Sequence, residues 1–156
     1  MLTDARDALA ARQARLVRAL VGLEHCPAGF DVEQIAMTGL SLASKRARAA
    51  AKAWPDFSSA IGEQFESLFA EYAQTEPAPP TSGPTEDGFR FADFLAERDR
   101  LSMASRQIWL AMRLHYRRTE AGIKSRRGLA IVWDRRPGIW WLRIGLRWRR
   151  SWEFWL

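Results

Sequence analysis

Apolar residues recur at helical spacing through most of the chain and switch to strict alternation near its end. Leu9, Leu16, Val17, Leu20 and Leu23 define a first helix, with Thr3 as its predicted N-cap and Arg12, Arg15 and Arg18 mainly on another face. Cys26-Pro27-Ala28-Gly29-Phe30 breaks that pattern. Asp31 is placed to cap a second helix, which runs through an alanine-rich stretch to about Trp54 and stops at Pro55. From Asp56 to Thr75 the pattern gives one helix interrupted near Gly62, or two short ones, with Phe57, Ile61, Phe65, Leu68, Phe69 and Tyr72 as a wide apolar face. Four prolines between Pro77 and Pro84 predict a stiff linker over residues 76–86. Beyond it, Asp87 should cap a short helix bearing Phe89, Phe91, Phe94 and Leu95. Ser102 should cap the last long helix, with Ile108, Trp109, Met112 and Tyr116.

After Gly122 the period changes. Leu129 to Trp133 is a short run of β type, and Asp134 to Gly138 has turn chemistry. Trp140, Leu142, Ile144, Leu146 and Trp148 alternate with Trp141, Arg143, Gly145, Arg147 and Arg149. A half-buried strand follows, with the first set expected in the core and the Arg-bearing second set facing outward. The predicted class is α+β: a helical domain over residues 1–122 and a small antiparallel Trp/Arg-rich β region over 123–156.

Composition narrows the function classes. With 156 residues and 47% hydrophobic residues the chain is long enough for its own core. One cysteine, Cys26, cannot form an internal disulfide. The N-terminus carries acids where a signal peptide needs an apolar run, and no stretch has the length of a membrane span, so the cytoplasm is the expected location. Ten acids and two bases lie between Asp56 and Asp99, but eleven bases and two acids between Arg117 and Arg150, so charged partner surfaces are expected.

Catalytic chemistry is hard to assemble from these residues. His25, Cys26 and His115 are the only His and Cys, without ligand spacing, so no metal site and no cofactor are assigned to the chain. No nucleophile triad and no phosphate-binding glycine loop appears, and no catalytic residue is assigned. Asp93 and Glu97, four apart on one predicted helix, read as a solvated face. Six of the eight tryptophans fall between Trp133 and Trp155, interleaved with arginine. Such a segment suits a protein interface, a single-stranded nucleic acid, a membrane surface, or simply the core of a small sheet. Bases are not concentrated on one helix face, so sequence-specific DNA binding is not expected.

One ordered set of residues resembles a known group. Lys45-Arg46, Trp54-Pro55, Gly62 followed by Phe65, Phe69, Tyr72 before the prolines, Gly88-Phe89, and Phe91-Ala92-Asp93-Phe94-Leu95 occur in the order found in partner proteins of multinuclear non-haem iron-dependent oxidative (DUF692-type) enzymes. These partners include DUF2063-like proteins and those of the 3-thiaglutamate and methanobactin-type pathways, which the motifs do not separate. The motifs cover about Leu42 to Leu101. The resemblance implies a non-catalytic subunit of a heterodimer, with iron held by the enzyme, that recognises a ribosomally made precursor peptide whose cysteine the enzyme remodels. On that expectation the peptide's leader adds a strand to the C-terminal sheet. Trp141, Arg143, Gly145, Arg147 and Arg149 would then form the peptide-binding face, the arginines meeting acidic leader residues. The alternative is a nucleic-acid-binding or membrane-surface-binding module using the same Arg/Trp end.

Overall fold

A computed structural model describes residues 2–20, 24–78, 83–119, 122–136 and 139–147. Among the described residues six α-helices precede four strands: α1 (Leu2–Leu20), α2 (Val32–Ala53), α3 (Pro55–Ile61), α4 (Phe65–Thr75), α5 (Gly83–Glu97), α6 (Met103–His115), β1 (Tyr116–Thr119), β2 (Gly122–Ser125), β3 (Gly128–Arg136) and β4 (Ile139–Arg147). The chain is α+β. It groups into two compact units, one of residues 1–49 with 63–78, the other of residues 50–62 with 79–156.

In the first unit, Asp31 caps α2 as expected: its Oδ1 accepts from the Glu33 and Gln34 amides at 2.8 and 3.4 Å. Small residues at Ala36, Gly39, Ala43 and Ala47 let α2 lie close to its neighbours; a Cβ on Gly39 would stand 2.7 Å from the Leu20 carbonyl oxygen. The core is built by α4, which buries Phe65, Leu68, Phe69, Tyr72 and Ala73. Arg46 lies over the Phe69 and Tyr72 rings and donates to the Glu76 carbonyl at 3.2 and 3.3 Å. Lys45-Arg46, Phe65, Phe69 and Tyr72 of the resemblance therefore include residues that hold this unit together.

The second unit is centred on α5 and α6. Pro55 opens α3, and Gly62, with φ 71°, ends it in a conformation that favours glycine. Ser102 caps α6, its hydroxyl accepting from the Ser105 amide at 3.2 Å. Phe89, Phe91, Phe94 and Leu95 of α5 and Trp109, Leu110 and Met112 of α6 are buried. Gly88 faces Trp54 so closely that a Cβ would lie 2.4 Å from Trp54 Cδ1. The indole is fixed there by Nε1 donating to the Thr85 carbonyl at 2.9 Å and by the Tyr116 ring, edge-on at 5.4 Å. Trp54 and Gly88 are thus two halves of one packing contact.

Three expectations need correction. Helix α5 starts at Gly83, so the proline stretch yields to helix before residue 86, and Asp87 is buried inside α5 rather than capping it. Proline near a helix start loses no hydrogen bond, which is why Pro84 is admitted. Tyr116 opens β1 instead of closing the last helix. Asp134 to Arg136 continue β3 rather than turning, with Pro137 and Gly138 outside the described residues.

Candidate functional site

The strands form two antiparallel hairpins, β1–β2 and β3–β4. In the longer one, Ala130 pairs with Gly145, Ile131 with Ile144 and Val132 with Arg143. Among the described residues neither β3 nor β4 pairs with a further strand. A long hairpin edge of this kind offers a row of backbone donors and acceptors to an extended segment.

The faces of this hairpin are the reverse of the expectation. Ala130 and Val132 are buried, and a Cβ on Gly145 would come within 1.9 Å of Leu114 Cδ2 on α6. Gly145 is therefore on the face covered by α6. Leu129, Ile131 and Trp133 are 65%, 48% and 67% exposed, and their register neighbour Ile144 is 50% exposed. The outer face is apolar. Trp141, Arg143 and Arg147 have their backbones in β4, in register with Asp134, Val132 and Gly128; their side chains, and Arg149 altogether, lie outside the described residues. Alternation fixed which residues share a face but not which face meets the helix. That choice is made by α6, where Leu114 needs the gap that only glycine leaves.

Two polar contacts join the elements around the hairpin. Arg106, buried on α6, bonds Asp99 at 2.7 Å and also the Asp134 carboxylate of β3. Asp93 of α5 accepts from Trp109 Nε1 at 2.8 Å, and the Arg113 guanidinium lies over the Trp109 ring. Burial pushes the Asp93 carboxyl up, while the Trp109 hydrogen bond and then the charges of Arg113 and Arg118 oppose the rise. Asp93 is thus an internal anchor, not part of a solvated face; Glu97 is exposed. Arg106 thus gathers the Asp99 and Asp134 carboxylates on one guanidinium, an ion-pair anchor between the segment before α6 and β3. His25 is exposed and Cys26 half-buried. Among the described residues no group of three or more His, Cys, Asp or Glu is placed to hold a metal ion, and no helix is long and apolar enough to cross a membrane.

A second surface was not anticipated. In the first unit α1, α2 and α4 border a groove of about 400 Å³, lined among others by Leu20, Ile35, Gly39, Leu40 and Ala73, with Arg46 and Glu24 as its charged residues. The apolar spacing of α1 was legible; that a groove opens beside it among the described residues was not.

Residues 10–97 match the family described as SCO6045-like, C-terminal domain. The chain belongs to that family. It is also 36% identical over 91 residues, 58% of its length, to a UPF0276 protein of Streptomyces avermitilis. The matched segment is only 18% of that protein, so the chain spans under a fifth of its relative. No solved structure matches the chain. The family match takes in α2 to α5 whole and most of α1, with the groove; it stops before α6 and the hairpins.

Proposed function

We propose that this chain is a non-catalytic partner subunit that binds a ribosomally made precursor peptide and presents it to a DUF692-type iron-dependent oxidative enzyme. The observation that carries the reading is the match to a UPF0276 protein, of whose much longer chain the matched segment is a small part. A domain joined to such a protein in one case is a reasonable subunit for such a protein in another. The iron and the oxidation belong to the enzyme. The peptide's cysteine is the group to be remodelled, and this chain supplies binding and orientation.

The β3–β4 hairpin supports the peptide half of the reading. Its backbone edge suits strand addition, in which main-chain hydrogen bonds give affinity and alternate side chains give specificity. Because the outer face carries Leu129, Ile131, Trp133 and Ile144, apolar leader residues would pack there. The many bases of residues 117–150 would attract an acidic leader over longer range. The test is titration of a fluorescent precursor peptide into the intact chain. Trp133→Ala and Ile131→Asp should each weaken binding at least tenfold without changing the melting temperature by more than a few degrees. Unchanged affinity in both variants would remove the hairpin as the peptide site.

A further inference from the structure

The β1–β2 hairpin is short and strongly basic. Between Tyr116 and Gly128 the chain has five basic residues, Arg117, Arg118, Lys124, Arg126 and Arg127, against one acid, Glu120. Two of the five are engaged with the fold. Arg126 donates through Nε to the Tyr116 carbonyl at 3.1 Å and through its amide to the His115 carbonyl at 2.7 Å, which pins the link between the two hairpins. Arg118 lies within electrostatic reach of the Asp93 carboxylate. The other three, Arg117, Lys124 and Arg127, are exposed, and among the described residues no acid pairs with them.

Their placement works against the fold. Arg117 and Lys124 stand directly opposite each other across the strands. Like charges in such a pair, with Cβ atoms about 5 Å apart, repel and destabilise a hairpin. Tyr116, next to Arg117 and so on the other side of the pleat, meets Trp54 edge-on at 5.4 Å. Arg117 and Lys124 therefore turn away from the body of their unit. Arg127 stands one residue before β3, and two residues of chain reach at most about 7 Å, so the basic face runs directly into Leu129 and the exposed apolar face it begins with Ile131 and Trp133.

Charge and adjacency together select the occupant. A single-stranded nucleic acid needs aromatic rings among the arginines on which its nucleobases can stack. The one aromatic ring of this hairpin, Tyr116, is half-buried and engaged with Trp54. A phosphate chain also gains nothing from the apolar face that follows. The acids of a second copy between Asp56 and Asp99 are spread over helices in both units, whereas a hairpin edge takes an extended segment. An extended peptide with acidic residues beside apolar ones satisfies both surfaces at once.

We infer that the precursor peptide binds with its acidic residues on Arg117, Lys124 and Arg127 and its apolar residues on the outer face of β3. This rests on the partner reading above. It gives the β1–β2 hairpin the reading of charge and the β3–β4 hairpin the reading of apolar side chains.

The experiment titrates the fluorescent precursor peptide, and the same peptide with its leader acids changed to amides, into the full-length chain at low and at high salt. Lys124→Glu turns the repelling pair into an attractive one, so its melting temperature should equal or exceed the parent's. The same change should weaken binding of the acidic peptide by about fivefold or more at low salt, with most of the difference gone at high salt, because exposed charges are screened. The amide peptide should bind the parent and Lys124→Glu within about twofold of each other. Trp133→Ala should weaken both peptides at both salt concentrations. If the peptide binds but Arg117→Glu and Lys124→Glu stay within twofold of the parent at low salt, the assignment is wrong while the partner reading stands. If the parent binds neither peptide, both fail. Lys124-dependent dimers, or a single-stranded oligonucleotide bound more tightly than the peptide and through Lys124, would overturn the inference in favour of the other occupants.

Discussion

Substituting Gly145 by valine separates the two ways in which β4 can lie. With Gly145 against α6, the new Cβ falls 1.9 Å from Leu114 Cδ2 and 3.3 Å from its Cγ. The Cδ2 methyl is the end of a flexible side chain and can swing away, but the valine methyls must then share its place. Overpacking of this kind costs about 1–3 kcal/mol. Against it stand the gain in strand preference, up to ~1 kcal/mol, and the loss of glycine's freedom in the unfolded chain, about 0.4–1 kcal/mol. The net expectation is destabilisation by about 1 kcal/mol, or a fall of about 2–4 °C in melting temperature for a chain of this size. With Gly145 on the outer face only the gains remain, and the sign reverses. Ile144→Asp is the control. At 50% exposure it should cost well under the several kcal/mol of a buried aliphatic position made polar. Urea unfolding followed by tryptophan fluorescence measures both. A Gly145→Val protein at least as stable as the parent, together with an Ile144→Asp protein that does not fold, would refute the packing of the hairpin on α6.

Other expectations follow from single contacts. Gly88→Ala should destabilise by about 1–2 kcal/mol in thermal melts, because Trp54 is held from two sides and cannot yield to the new methyl. Asp134→Ala should cost about 2 kcal/mol, less than the full loss of a buried pair because Asp99 still meets Arg106; urea midpoints measure it. Asp93 has a folded-state pKa above its usual value, so its ionisation at neutral pH opposes folding, and the stability its protonation provides is present at low pH and lost as pH rises through the folded pKa. Asp93→Asn should therefore exceed the parent in stability most at neutral pH, and the difference should shrink as the pH falls to about 4 and below; a constant difference would contradict this. Elemental analysis of the chain purified alone should find no stoichiometric metal.

Local signals carried much of the fold. Asp31 and Ser102 cap where their side chains meet amides two or three residues on, a contact set by neighbouring sequence alone. Gly62 and Pro55 mark breaks for the same reason. The motif residues around Trp54, Phe65, Tyr72 and Gly88, on which the resemblance was read, turn out to be packing partners. Non-local choices were illegible. Both faces of β4 carry bulky residues, so alternation allowed two orientations, and only Leu114 of α6 decides between them. Gly83 to Glu86 join α5 despite Pro84, since a helix start tolerates what a helix interior does not. The α1–α2 groove escaped notice because an amphipathic pattern records an apolar face without recording whether anything covers it.

The partner reading is tested most directly by reconstitution. The DUF692-type enzyme, its precursor peptide and this chain are combined, and modification of the peptide's cysteine is followed by mass spectrometry with and without the chain. The account predicts that modification requires the intact chain and that omitting it lowers the rate at least a hundredfold. Full-rate modification by the enzyme alone would contradict it.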